Sequence, residues 1–235
     1  MIHSKRIFLA HLATLPLWGC SIPVLKKIST EKIHSPDQVG LFAPRIGQSW
    51  QYQQINQYNS EVVDVFNEKI STIQDQQIII SRLGSKKELP SEVQTTRGYV
   101  KVDPYWDYLQ TYDNPVPIWL DPLNQIRSTQ FKTLYHANQS SYVLSMQIFM
   151  QQRGWERVHL ESGSFDTVKI EKYIYFVHHD SNRLESSRTD IYWFAPTVGR
   201  WVVRETNGKY FISSGRRRID YREDYFRYEL RAYTT

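Results

Sequence analysis

The chain has 235 residues and a formal charge of +5, from 29 basic and 24 acidic side chains. That near balance is too weak to argue for a nucleic-acid partner, and a single cysteine excludes a disulfide framework. Aromatic residues are dense, with 16 Tyr, 7 Trp and 10 Phe, types that favour strands and bury large areas behind a polar tip.

Lys5 and Arg6 make a short basic start, and Ile7 to Trp18 follows with no charge apart from the weakly basic His11. Such a stretch fits the apolar core of an export signal and is too short for a spanning helix, which needs about 20 residues. It ends Leu17-Trp18-Gly19-Cys20. A small residue before a cysteine, with leucine two residues further back, resembles the lipobox of bacterial lipoproteins; Trp18 departs from that pattern, where a small residue is usual. The resemblance implies cleavage after Gly19, a diacylglycerol on the Cys20 thiol and a further acyl chain, such as palmitate, on the new amino group. Each buried CH₂ contributes about 0.8 kcal/mol, so several chains hold the protein on a membrane. With Ser21 rather than aspartate after the cysteine, the resemblance further implies an outer-membrane anchor facing the periplasm. Loss of residues 1–19 removes Lys5 and Arg6 and no acid, leaving a charge of about +3.

Residues 20–46 read as the acylated cysteine and a flexible tether, with Pro23, Pro36 and Pro44 and no sustained periodicity. The folded domain is expected over 47–235. Strands are predicted at 50–58, 61–73, 76–83 and 92–102. Residues 103–124 hold four prolines among Tyr105, Trp106, Tyr108, Tyr112 and Trp119, and read as an irregular segment packed over the core or an edge. A hairpin is predicted from 126–136 and 141–152, where Leu144, Met146, Ile148 and Met150 alternate with Ser145, Gln147 and Phe149. Strands at 154–160, 165–179, 189–195, 200–212 and 224–233 complete the run, with Val168, Ile170, Ile174 and Phe176 facing inward. Turn signals spaced about a dozen residues apart imply an antiparallel arrangement, since parallel strands need crossover helices. The expected fold is therefore all-β: one twisted antiparallel sheet curled into a half-barrel or open barrel.

Two segments carry a further resemblance: Trp155 to Ile170, containing Gly163-Ser164-Phe165, and Tyr192-Trp193-Phe194-Ala195-Pro196-Thr197-Val198-Gly199-Arg200-Trp201-Val202-Val203. Together they resemble an uncharacterised family of exported Gram-negative β-sheet proteins, over roughly residues 47–235. Glu161-Ser162 replaces the family's usual Pro-Ala before Gly163. In outline such proteins are similar to the half-barrels of periplasmic lipoprotein carriers, a likeness of fold with little functional weight. Within the signature, Gly163 permits a tight turn, Phe165 plugs the sheet end, and Pro196 and Gly199 bracket a reversal.

Catalytic motifs are missing: there is no G-x-S-x-G, H-E-x-x-H or Gly-rich phosphate loop. His178-His179-Asp180 is the best metal-binding candidate, but adjacent strand residues point to opposite faces, so the rings are expected to diverge. Asp64, Glu68, Glu171 and Glu185 read as carboxylates on solvated faces, and Arg216-Arg217-Arg218 as a solvated turn. No cofactor, metal or catalytic residue is expected, and Cys20 is the single site residue, for lipid attachment. The expected function is a non-enzymatic envelope lipoprotein whose domain binds a partner protein or an apolar, lipid-like ligand. The alternatives are an assembly accessory that grips another envelope complex through a strand edge, and a hydrolase built from distant residues.

Overall fold

The computed structural model of the chain describes residues 27–41, 43–138, 140–214 and 217–234. The signal segment, Cys20 and the start of the expected tether lie outside the described residues. The strands are β1 (Ser29–Lys32), β2 (Ser49–Asn56), β3 (Val62–Gln74), β4 (Gln77–Leu83), β5 (Glu88–Thr95), β6 (Tyr99–Asp103), β7 (Gln110–Pro117), β8 (Arg127–Ala137), β9 (Val143–Leu160), β10 (Gly163–Phe176), β11 (Leu184–Ala195), β12 (Arg200–Ser214) and β13 (Arg217–Thr234). From β2 onward each strand pairs antiparallel with the next, and β13 returns to β2. The expected curl thus runs to closure, as a twelve-strand up-and-down barrel with β1 added outside. The lower end carries the turns at 75–76, 96–98, 161–162 and 196–199; the upper end carries the loops at 84–87, 104–109 and 177–183.

Alternation sets the inside. Met146, Ile148 and Met150 of β9 and Val168, Ile170, Ile174 and Phe176 of β10 face the lumen and are buried. Gly163 (φ 132°) and Gly199 (φ 71°) sit in the tight turns expected of them. A lumen of eight strands is just filled by its own side chains, and one of twelve is wider. This barrel fills the surplus with long side chains and with segments from outside the strands. From above, loop 104–109 sends in Tyr105, whose ring lies 5.2 Å from Tyr228 and 5.7 Å from Trp201. From below, loop 118–126 lays Trp119 on Phe194 at 4.6 Å. Gln152 holds that loop: its amide donates to the carbonyls of Pro122, Leu123 and Gln125, and its oxygen accepts from Leu120 N–H.

Several elements differ from expectation for local reasons. The single strand predicted at 92–102 is two, β5 and β6, because Gly98 (φ 76°) turns the chain beneath the Trp119 ring. The proline-rich stretch contains a true strand, β7. Only its residues 110–112 pair with β8, and further down Thr133 Oγ1 bonds the Asn114 backbone, so Pro115 and Pro117 leave no ladder donor missing there. Within the segment read as a tether, β1 pairs with β9, Ser29 opposite His159 and Lys32 opposite Glu156. β9 is long, β8 covers only 143–152 of it, and β1 takes the remaining edge. From β1 the chain ties to Asn124 through Ser35 and Asp37 and becomes a strap, residues 41 and 43–48, across the lower mouth.

Near mid-strand the outer face carries Arg153 paired with Glu171 at 2.6 Å, and three residues from the β9–β10 turn Arg157 pairs with Asp166 at 2.7 Å. A lipid-facing barrel needs an apolar band there.

Candidate functional site

Charged side chains cross the middle and upper lumen in two groups. In the first, Arg200 donates through Nε to Glu68 (2.7 Å) and through Nη2 to Glu92 (2.6 Å). Arg82 donates to the other Glu68 oxygen at 3.0 Å, as does the Tyr105 hydroxyl, and Gln94 donates to Glu92. In the second, Asp190 accepts from Arg188 (2.5 Å), Arg204 (2.8 Å) and Tyr192 (3.1 Å), while Asp103 accepts from the Trp106 indole at 3.1 Å. Burial pushes the Asp190 carboxyl up, but Arg188 and Arg204 overcome this and hold it at about 2. Burial depresses the Lys172 ammonium to about 8, against the pull of Asp190 and with the help of Arg204. Lys172 and Arg204 border a cavity of about 20 Å³, room for one water. Every carboxylate here is already bonded to cations or hydroxyls. The network fixes the lumen and leaves none of these carboxylates free to act as a base.

The sequence-predicted carboxylates divide accordingly. Glu68 is 0% exposed, not solvated as expected, because Asp64, Phe66, Glu68 and Ile70 share one strand parity and the last three face the lumen. Glu171 is on the outer face with Arg153 and Lys169, and Glu185 is exposed beside Arg218. Asp64 bonds the upper turn at Ser85. The rings of His178 and His179 do not diverge; they lie 4.1 Å apart, since β10 ends at Phe176 and alternation stops with it. Asp180 N–H donates to His178 Nδ1, and burial, then His179 and Arg183, lower the His178 ring to about 4. No metal-binding group of His, Cys, Asp and Glu occurs among the described residues.

An open cleft of about 1000 Å³ lies at the upper end, lined from β7 through β13. The long β12–β13 hairpin forms one wall. There Tyr210 stacks on Tyr221 at 5.4 Å, and the Arg218 guanidinium covers Phe211 at 3.8 Å. Arg218 also pairs with Glu185 and Asp220, so Lys132, Lys209 and Arg222 give the cleft its surplus positive charge. The other wall is apolar and exposed: Tyr142 67%, Tyr175 56%, Val177 54% and Leu134 45% at or beside the rim. β13 pairs with β2 only from Phe226 onward, so among the described residues its 217–224 edge has no strand partner. Arg217, Arg218, Asp220, Arg222, Glu223 and Asp224 line that edge, the kind of charge that discourages indiscriminate strand addition. Arginine run and hairpin thus belong to one feature; Gly215 and Arg216 at its tip lie outside the described residues. Sequence reading missed Gln152, Arg200 and Arg204. The available signal was charge on lumen-parity positions, Arg188, Asp190 and Arg204, flanked by rings.

No protein-family model matches the chain, and no curated protein matches it. Among solved structures it is similar to a candidate lipoprotein from Parabacteroides distasonis ATCC 8503, at 12% identity, covering 85% of this chain and 100% of that one, with a TM-score of 0.52. It also matches a candidate exported protein with a YmcC-like fold from Bacteroides fragilis NCTC 9343 (9% identity, 84% and 100% covered, TM-score 0.47). A third match is the hypothetical lipoprotein YmcC from Escherichia coli K12 (9%, 78% and 83% covered, TM-score 0.44). At such identities the first of these shows a shared fold and nothing finer.

Proposed function

We propose that this chain is an exported bacterial envelope lipoprotein, held at a membrane through Cys20, whose barrel is a non-enzymatic docking module for a partner protein. The observation that carries the docking reading is the upper cleft: wide and open, walled by exposed rings on one side and by an unpaired strand edge on the other. Small-ligand sites are enclosed and span about 300–1,000 Å³, whereas exposed apolar rims beside a free edge are the features that proteins use to bind one another. The middle and upper lumen supports the same choice, because rings and ion pairs occupy that space. The anchor reading rests on the Cys20 lipobox, and the outer membrane facing the periplasm is the compartment it favours.

A photo-crosslinking residue at Tyr175 or Tyr142 in cells should capture one dominant protein, and the same probe at Ser71, on the outer face of β3, should not. Equal yields at Tyr175 and Ser71 would rule out docking at the cleft. Cys20→Ser should move the protein out of the membrane fraction; retention there with the signal removed would rule out the anchor.

A further inference from the structure

The lower mouth holds a second cavity, of about 260 Å³, between the strap and the barrel. Its walls are Ile70, Ile78, Ile80, Ile118, Phe194 and Trp119, with Leu41, Ala43 and Pro44 of the strap as a roof. The buried polar side chains that reach it are already committed. Arg200 is held by Glu68 and Glu92, Gln94 by Glu92, and Gln48 donates to the Val198 carbonyl. The Thr95 hydroxyl accepts from Tyr99 N–H, and Thr96 is exposed. The interior of the cavity therefore offers contact to a hydrocarbon and no spare charged or amide partner to a polar group. An apolar cavity of roughly 150 Å³ already takes up benzene, while whole-ligand sites start at about 300 Å³. A volume between those limits fits part of a flexible chain whose polar end stays outside. The strap is fixed beside the cavity by reciprocal bonds, Gly47 N–H and Gln48 C=O with Ile70, and its Leu41 and Ala43 are exposed. That leaves the roof able to shift without disturbing the barrel.

Position selects the ligand. Ser29 pairs with His159, close to the β9–β10 turn of the lower end. Ser29 lies nine positions after Cys20, a span of at most about 30 Å fully extended. Anything attached at Cys20 is held within that distance of the end where this cavity opens. We infer that the lower cavity is an acyl-chain site, filled by a hydrocarbon tail either of the Cys20 lipid or of the bilayer beneath it. This deepens the anchor reading above and rests on it for the source of the tail, not for the site.

The test uses the full chain carrying Cys20→Ser, kept free of detergent, titrated with 11-(dansylamino)undecanoic acid. A saturable rise in dansyl emission is expected, with energy transfer from tryptophan, since Trp50, Trp119 and Trp201 line the cavity and the described lining of the upper cleft has none. Ala43→Phe on the exposed strap and Ile78→Phe in the wall each reduce the space. Either one, provided that its melting curve matches the parent's, should weaken binding by about tenfold or more, whereas Tyr175→Ala in the upper cleft should leave it unchanged. No saturable binding, or undiminished binding in both filled variants, overturns the inference. The lipidated wild-type chain then names the source: weaker uptake than in C20S means that its own tail is seated, and equal uptake means that the tail comes from the bilayer. Failure of the anchor reading would appear separately, as C20S protein still membrane-bound in cells with its signal removed.

Discussion

The lower lumen is lined by Trp50, Trp201, Phe194 and Ile80, with Arg200 entering from the foot of β12, while the middle and upper lumen is crossed by Arg82, Arg188 and Arg204; Glu68, Glu92, Asp103 and Asp190 are the partners of these arginines. Both regions solve the same problem of width. Rings solve it by area, at roughly 25 cal/mol for each Å² removed from water. Ion pairs solve it by length, because an arginine spans further than any apolar side chain, but desolvation cancels much of the attraction they supply. The rings should therefore carry the stability, and the ion pairs should fix which strand faces which. An intact pair adds little over an apolar filling; a broken one leaves a charge in the lumen.

The sharpest way to break this comparison is Arg200→Met, which leaves Glu68 and Glu92 without their shared cation. Urea unfolding should show a loss of about 3–5 kcal/mol. A loss no larger than the roughly 1 kcal/mol of a lower-lumen Ile80→Val would erase the distinction between the two fillings. Lys172→Met tests the same cost with the opposite sign. The ammonium is carried at neutral pH although its folded value, about 8, is below the unfolded 10.5, so its removal should stabilise the fold at pH 7 by up to about 3 kcal/mol. Between pH 8 and 10.5 the unfolded parent binds the additional proton, so parent stability should rise through that window and the advantage of K172M should fade. An advantage constant across the window would mean that packing, not charge, limits this position. Gln152→Ala should cost about 2 kcal/mol by orphaning the carbonyls of loop 118–126, with faster amide exchange confined to the lower end. Arg153→Ala, on the outer face, should change stability by no more than about 0.5 kcal/mol despite a 2.6 Å pair with Glu171. A larger effect would show that location inside the barrel is not what makes an ion pair costly to break.

Much of the architecture was legible because it is local. Alternation marked the inward faces of β9 and β10, and turn spacing marked the meander, down to Gly163 and Gly199. Closure was not legible, because the seam joins β2 to β13 across most of the chain and no local pattern reports it. The burial of Glu68 follows from closure: on an open sheet its face meets water, and only the far wall supplies Arg200. The cleft was hidden for a related reason, since its lining comes from seven strands and its character from exposed rings, which composition counts without locating. β1 escaped notice because a four-residue strand of polar side chains has no periodicity of its own and exists through the spare edge of β9.

The β2–β13 seam also sets a clock. A chain that emerges amino end first presents Ser49–Asn56 early, but its partner, Phe226–Thr234, follows every other strand of the barrel. Sheet growth can run hairpin by hairpin from β2 to β12, yet the ring shuts only when β13 is free to pair, and pairings so distant in sequence form slowly. Throughout that interval one flank of β2 is an open template for other strands. The closing strand therefore acts as a completion signal: loss of residues 226–234 should leave an unclosed, self-associating sheet rather than a slightly weakened barrel.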